Sequence, residues 1–129
     1  MNEYDVVVIG SGTAGQTAAY ELNGKGLSVA VVEKSTKAGG TCALYGCQAK
    51  KWFYEGAEVI AKLHHMQGKG IRSIPEFAWA DFLREKNNFT RKVPGNTITG
   101  FEKAGIQVIS GASHFLDEKT LAVDSRKIS

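Results

Sequence analysis

The chain opens with an unbroken apolar stretch, Val6-Val7-Val8-Ile9, set off by Asp5. A short run of β-branched residues without polar alternation predicts a strand buried on both faces of a parallel sheet. Gly10-Ser11-Gly12-Thr13-Ala14-Gly15 follows at once. Helical periodicity then covers Gln16 to Asn23, with Ala14, Ala18 and Ala19 small enough to lie against a sheet, and Gly24 and Gly26 end it. Leu27 to Val32 predicts a second strand, closed by Glu33. Two parallel strands joined by a helix form a right-handed βαβ unit.

Further along, Trp52, Gly56, Val59, Leu63 and Met66 recur at alternating steps of four and three, one face of a helix over 50–66 that Phe53 and Ile60 widen. The expectation for these aromatics is core packing. A second helix is predicted from Trp79 to Val93, with Trp79, Phe82, Phe89 and Val93 as its buried face and a break or kink at Pro94-Gly95. A short helix through Phe101 to Ala104 stops at Gly105. Ile106 to Ile109 reads as a strand, and Ser113 to Val123 as a hairpin turning at Asp117-Glu118-Lys119. No internal repeat or low-complexity linker divides the chain.

Composition adds bounds. A chain of 129 residues, 43% apolar and 22% charged, suits one soluble domain with its own core. The formal charge is +3, yet Lys and Arg form no long run, so no nucleic-acid or membrane surface is indicated. Met1 to Asp5 carries no targeting pattern and no run reaches the ~20 apolar residues of a membrane span. The expected compartment is cytoplasmic, where thiols stay reduced and a cysteine pair points to catalysis or metal binding before structural stapling.

The glycine turn gains meaning from its context. Gly10-x-Gly12-x-x-Gly15 follows a strand and opens a helix, and Glu33 ends the next strand 23 residues after Gly10. That is the pattern of a dinucleotide site: a tight turn, close backbone approach to a pyrophosphate at a helix N-terminus, and a carboxylate for ribose hydroxyls.

Both cysteines of the chain, Cys42 and Cys47, lie in Gly39-Gly40-Thr41-Cys42-Ala43-Leu44-Tyr45-Gly46-Cys47. A zinc site would need four ligands, and His64 and His65 are adjacent on a helix and point roughly 100° apart, so they read as solvent-facing. No metal site is expected. Redox chemistry fits better. On a regular helix residues five apart are roughly 8–9 Å apart, too far for the ~4.4–6.8 Å of a disulfide. An irregular turn is therefore expected between them, with Gly46 permitting it. A helix starting near the pair, with Lys50 and Lys51 one turn on, would favour thiolate.

The segments DVVVIGSGTAG, VAVVEK and GGTCALYGCQAKK together resemble the opening of the class I pyridine nucleotide–disulfide oxidoreductases, the family of glutathione reductase, dihydrolipoamide dehydrogenase and mercuric reductase, whose motif is GGTCxxxGCxxxK. The resemblance covers the whole chain. It implies an α/β, Rossmann-like FAD-binding domain, a parallel sheet with helices and an antiparallel β-hairpin, incomplete within residues 1–129. NAD(P)-binding and dimerisation domains would lie outside this chain. The resemblance also implies FAD as the dinucleotide and NAD(P)H as a partner through another domain. Gly10, Gly12, Thr13, Ala14 and Gly15 would hold the pyrophosphate and Glu33 the adenosine ribose. Thr41 and Cys42 would line the flavin site, and backbone near Ser113 the adenine. Cys42 would be the thiol that attacks a small-molecule disulfide or dithiol substrate, Cys47 the sulfur against the flavin, and Lys50 or Lys51 the flavin-side lysine. A homodimer is implied for the full-length protein.

The chain departs from the family in Cys47-Gln48-Ala49-Lys50-Lys51, which lacks the proline common there, and in Ala43-Leu44-Tyr45, where Asn-Val is common before the glycine. These changes blur the subfamily. A mercuric-type reductase on the same frame and a small nucleotide-binding redox sensor are the alternatives.

Overall fold

A computed structural model describes residues 3–129; Met1 and Asn2, part of the segment read above for targeting signals, lie outside the described residues. The element order is β1 (Val6–Ile9), α1 (Thr13–Gly24), β2 (Val29–Glu33), α2 (Gly40–Leu44), α3 (Cys47–Met66), α4 (Trp79–Thr90), α5 (Val93–Lys103), β3 (Gln107–Ser110), β4 (Ser113–Phe115), β5 (Leu121–Val123) and β6 (Arg126–Ile128).

Strands β1, β2 and β3 form a parallel sheet in that order, with Val6 opposite Val29 and Glu33 opposite Ser110. The centre falls on β2, all five residues of which are buried. Its alternation makes three layers. Val29 and Val31 face one way, into a cluster with Ala19 of α1, Phe101 of α5 and Ile106. Ala30 and Val32 face the other way, against Ile109, Val123 and Ile128. That second cluster docks an antiparallel meander, β4-β5-β6, onto the sheet. The expected hairpin is present, and Arg126–Ile128 extends it by a third strand that pairs with β5.

Several expectations need correction. The run at Val6–Ile9 is covered on both faces only in part: Val6 and Val8 pack against the first cluster and Val7 against the second, but β1 is an edge strand among the described residues and Ile9 is 55% exposed. A β-branched run reports strand propensity and average burial, not the place of the strand in the sheet.

The helix expected from Lys50 begins at Cys47, and α2 precedes it. The helix expected to run through Val93 ends at Thr90, and Pro94 sits in the first turn of α5 rather than breaking a helix. Proline lacks an N–H and fixes φ, so the first turn, whose N–H groups have no helical partner, suits it. The short helix expected at Phe101–Ala104 is thus the end of the longer α5.

The aromatic face expected in the core is the largest discrepancy. Trp52, Val59 and Met66 on α3, and Trp79 and Phe89 on α4, are exposed. Ala49 is the buried residue of α3 and Thr90 that of α4. The aromatics stack on one another instead: Trp52 on Phe82 at 5.7 Å, Phe53 on Trp79 at 5.4 Å, and Phe77 against Phe82 at 5.2 Å between ring centroids. Gly56 makes room for them, because a Cβ there would lie 2.3 Å from Phe82 Cζ. Of the face that helical periodicity marks on α3, Trp52, Phe53 and Gly56 meet α4, whereas Val59 and Met66 stay exposed; periodicity could not say whether the partner was the sheet or another helix.

Helix and sheet meet closely at the glycine turn. A Cβ on Gly15 would sit 2.0 Å from the carbonyl oxygen of Gly10 and 3.4 Å from Val8 Cγ1. Gly15→Ala is therefore expected to lower stability by about 3 kcal/mol in a denaturant melt. Gly95, in α5 with open space around its Cα, supplies the contrast. Gly95→Ala is expected to raise stability by about 0.5 kcal/mol through helix propensity alone. Equal effects at the two positions would contradict this account of the packing.

Candidate functional site around the glycine turn and the cysteine pair

The site assembles at the carboxyl end of the parallel sheet, where β1 turns into α1. Gly10 leaves β1, Gly12 caps α1, and Thr13, Ala14 and Gly15 form its first turn. No side chain caps this helix and no acidic residue lies in its first turn. Its free N–H groups and positive dipole end remain available to an anion. The starts of α2 and α3, at Gly39 and Gly46, also lack a side-chain cap and a first-turn acid.

A second glycine pair brings the cysteine segment to this turn. Gly39 and Gly40 have φ of +121° and +73°, backbone that side chains strongly disfavour. A Cβ on Gly40 would lie 2.4 Å from the Cα of Gly12, and one on Gly39 would lie 2.6 Å from Val93 Cγ1. The two loops therefore touch backbone to backbone, with Thr41 and Cys42 following directly in α2.

Glu33 ties the turn down from the other side. It is 9% exposed at the end of β2. Its Oε2 accepts from the Ser11 N–H at 2.8 Å and from the Ser11 hydroxyl, and its Oε1 accepts from the Ser35 N–H at 2.8 Å. Burial pushes its pKa up, but hydrogen bonds from Ser11, Ser35 and the Lys34 backbone outweigh that and hold it below the ordinary glutamate value. The carboxylate is thus ionised at neutral pH. With Oε2 occupied twice, Oε1 is the oxygen with acceptor capacity to spare for a ligand hydroxyl.

Cys42 and Cys47 stand as free thiols, Cys42 partly covered and Cys47 exposed. The irregular turn expected between them is Tyr45-Gly46: Tyr45 and Gly46 both donate backbone hydrogen bonds to the Thr41 carbonyl, at 2.9 and 2.6 Å. A Cβ on Gly46 would approach that carbonyl oxygen to 3.1 Å and the Cα of Cys42 to 3.5 Å.

The two sulfurs divide one charge unequally. The hydrogen bond from Cys47 lowers the pKa of Cys42 most, desolvation opposes it, and Thr13 and the Lys51 charge add to the lowering. For Cys47 the same hydrogen bond, then the negative charge on Cys42, raise the pKa, although Lys50 opposes this. In the reduced pair the charge falls on Cys42.

The other residues singled out in the sequence fall into place around these. Lys50 and Lys51 are exposed in the first turn of α3, and among the described residues neither forms an ion pair. Ser113 begins β4, two residues after Gly111, whose N–H donates to the Glu33 carbonyl at 3.0 Å. His64, His65 and His114 are all exposed. Among the described residues no group of three or more His, Cys, Asp or Glu side chains is placed to hold a metal ion. No helix among them is long and apolar enough to cross a membrane.

Sequence reasoning missed Ser11. It is fully buried and joins three segments. Its signal was a hydroxyl residue between the first two glycines of the turn, facing the acid that ends β2. Two cavities flank the turn. One of about 670 Å³ lies beside Glu33, lined also by Ser35, Pro94, Ile98 and Gln107. The other, about 510 Å³, is lined by Thr13, Gln16, Tyr20, Ala43 and Gln48.

Comparison with known proteins agrees with this geometry. The chain is 31% identical over 123 residues to glutathione reductase of Schizosaccharomyces pombe, 94% of this chain and 26% of that protein. It is 32% identical over 125 residues to dihydrolipoyl dehydrogenase 3 of Pseudomonas aeruginosa, 95% of this chain and 27% of that one. Among solved structures, the Cu(II) complex of the HOCl-induced flavoprotein disulfide reductase RclA from Escherichia coli superposes with a TM-score of 0.74 at 25% identity, covering 99% of this chain and 27% of that one. The chain thus spans about a quarter of the length of the relatives it matches. Residues 4–129 match the family model described as pyridine nucleotide-disulphide oxidoreductase, and the chain belongs to that family.

Proposed function

We propose that residues 1–129 form part of the FAD-binding domain of an enzyme that passes electrons between NAD(P)H and a small-molecule disulfide or dithiol through Cys42 and Cys47. NAD(P)H binding and dimerisation belong, in this reading, to domains outside these residues. The observation that carries it is the backbone contact of Gly12 with Gly40. It holds the uncapped start of α1 and the cysteine pair in one place.

The residues present fit a flavin dinucleotide. Backbone N–H groups at Thr13, Ala14 and Gly15 would hold a pyrophosphate at the uncapped start of α1, and Glu33 Oε1 would accept from a ribose hydroxyl. The Ser113 backbone would serve the adenine end, Thr41 and Cys42 the flavin end, and Lys50 or Lys51 would supply positive charge there. Bound FAD supplies a two-electron relay between a nicotinamide and the cysteine pair.

The pair itself does thiol–disulfide exchange. The Cys42 thiolate attacks one sulfur of a substrate disulfide, forming a mixed disulfide and expelling one thiolate. Cys47 gives up its proton and attacks Cys42 Sγ, expelling the second. The products are a Cys42–Cys47 disulfide and two substrate thiols, which take up one proton from Cys47 and one from solvent. Two electrons pass from the pair to the substrate, and the reverse flow oxidises a dithiol.

Residues 1–129 alone are expected to hold FAD weakly or not at all, whereas fluorescence titration of FAD with the full-length protein is expected to show saturable binding, weakened about tenfold by Glu33→Gln, which removes an anionic acceptor from the ribose end. Absence of binding by the full-length protein, or a Glu33→Gln variant equal to the parent, would overturn the cofactor reading. In the reduced chain, iodoacetamide followed by mass spectrometry is expected to modify Cys42 ahead of Cys47. A thiol with a lowered pKa is thiolate at lower pH, so Cys42 reactivity is expected to rise at a pH below the ordinary thiol value of 9.0. Cys47→Ala removes the main hydrogen bond and is expected to move that profile to higher pH. Preferential modification of Cys47 would reverse the assignment of the two sulfurs.

A further inference from the structure

The Ser11 hydroxyl is placed between two segments that share no other bond through it. It donates to Glu33 Oε2, and it accepts the Gly39 N–H at 3.0 Å. The side chain is fully buried, so water does not compete for either partner. Gly39 is buried as well, and with Gly40 it forms the positive-φ turn that leads into Thr41 and Cys42.

A hydroxyl that donates to a carboxylate is polarised, and its oxygen becomes a better acceptor. The Gly39 hydrogen bond is therefore strongest when Glu33 is ionised. Protonating Oε2 removes the anionic acceptor and frees the Ser11 hydroxyl to turn. The cost falls on a buried N–H with no other hydrogen-bond acceptor among the described residues.

We propose that Ser11 is a positioning residue that couples the carboxylate at the end of β2 to the Gly39–Gly40 turn, so that engagement or neutralisation of Glu33 is felt immediately before Cys42. The ligand side of the proposal, a ribose hydroxyl on Glu33 Oε1, rests on the FAD reading. The coupling within the chain does not. Ser11 touches neither sulfur and acts only through the turn.

The test is hydrogen exchange at the Gly39 amide, followed by NMR in the nucleotide-free chain across the titration of Glu33, with the Glu33 carboxyl observed in parallel. The parent chain is expected to lose about tenfold in Gly39 protection as Glu33 takes its proton, at a pH below the ordinary glutamate value. In Ser11→Ala the protection is expected to be low at every pH, and the Glu33 midpoint to move up. A merely structural serine would lower protection without erasing the step. Glu33→Gln is a second handle should Ser11→Ala fail to fold. It cannot titrate, and Gly39 protection is expected to be low and independent of pH while the Val31 amide stays protected. A parent chain without the step, or a Ser11→Ala chain that keeps it, overturns the proposal. A full-length protein that does not bind FAD, beside a chain that shows the step, removes the cofactor reading and leaves the coupling intact.

Discussion

The molecule is organised by a contact that admits no side chain, the approach of Gly40 to Gly12. Each glycine begins a helix or lies at its threshold, and neither helix is closed off by a capping side chain. Two N-termini that would ordinarily be satisfied separately are held against each other, with their N–H groups left for a ligand. The arrangement costs little in the free chain, since glycine in place of a capping side chain costs only about a few tenths of a kcal/mol at each helix start. Such local cost is expected where binding energy is to be recovered from a partner. The sheet behind supplies the rigidity: β2 is buried along its whole length, and the positions of Glu33 and the glycine turn follow from its register with β1 and β3.

The same contact gives the two sulfurs different surroundings. Cys42 lies in α2 beside Thr13 of α1, whereas Cys47 opens α3 and faces solvent. Proximity to a helix start is often taken as enough to identify a thiolate. Here the pair itself sets the directions, because two adjacent thiols do not both ionise readily and the first proton lost decides the second. The sulfur with more hydrogen-bond support keeps the charge. Lys51 acts on Cys42 and Lys50 on Cys47, so the adjacent lysines are not equivalent even before any ligand is considered.

Much of this was legible in the amino-acid sequence, and the reasons differ by feature. The βαβ unit was readable because Val6–Ile9 and Val29–Glu33 are short apolar runs and glycine marks the turn between. The need for an irregular link between Cys42 and Cys47 followed from helix geometry alone. Three things were not legible. The edge position of β1 depends on which strands pair. The fate of Trp52, Trp79 and Phe89 depends on which surface meets them, and periodicity is the same whether a face meets a sheet or another helix. Ser11 was overlooked because its importance comes from Gly39, 28 residues away in sequence, and no local pattern records that hydrogen bond.

The paired helices α3 and α4 divide the cooperativity of the chain. Their aromatic rings lie mostly against each other, and each helix has one buried residue, so little couples their outer turns to the sheet. Such a projection opens at a free-energy cost of its own, below that of the whole. The cysteine pair lies at its root, where α3 begins, and Trp79 stacks on Phe53 in the second turn of that helix, while Met66 ends it at the far side. Fraying of the tip can therefore proceed while the redox centre keeps its shape.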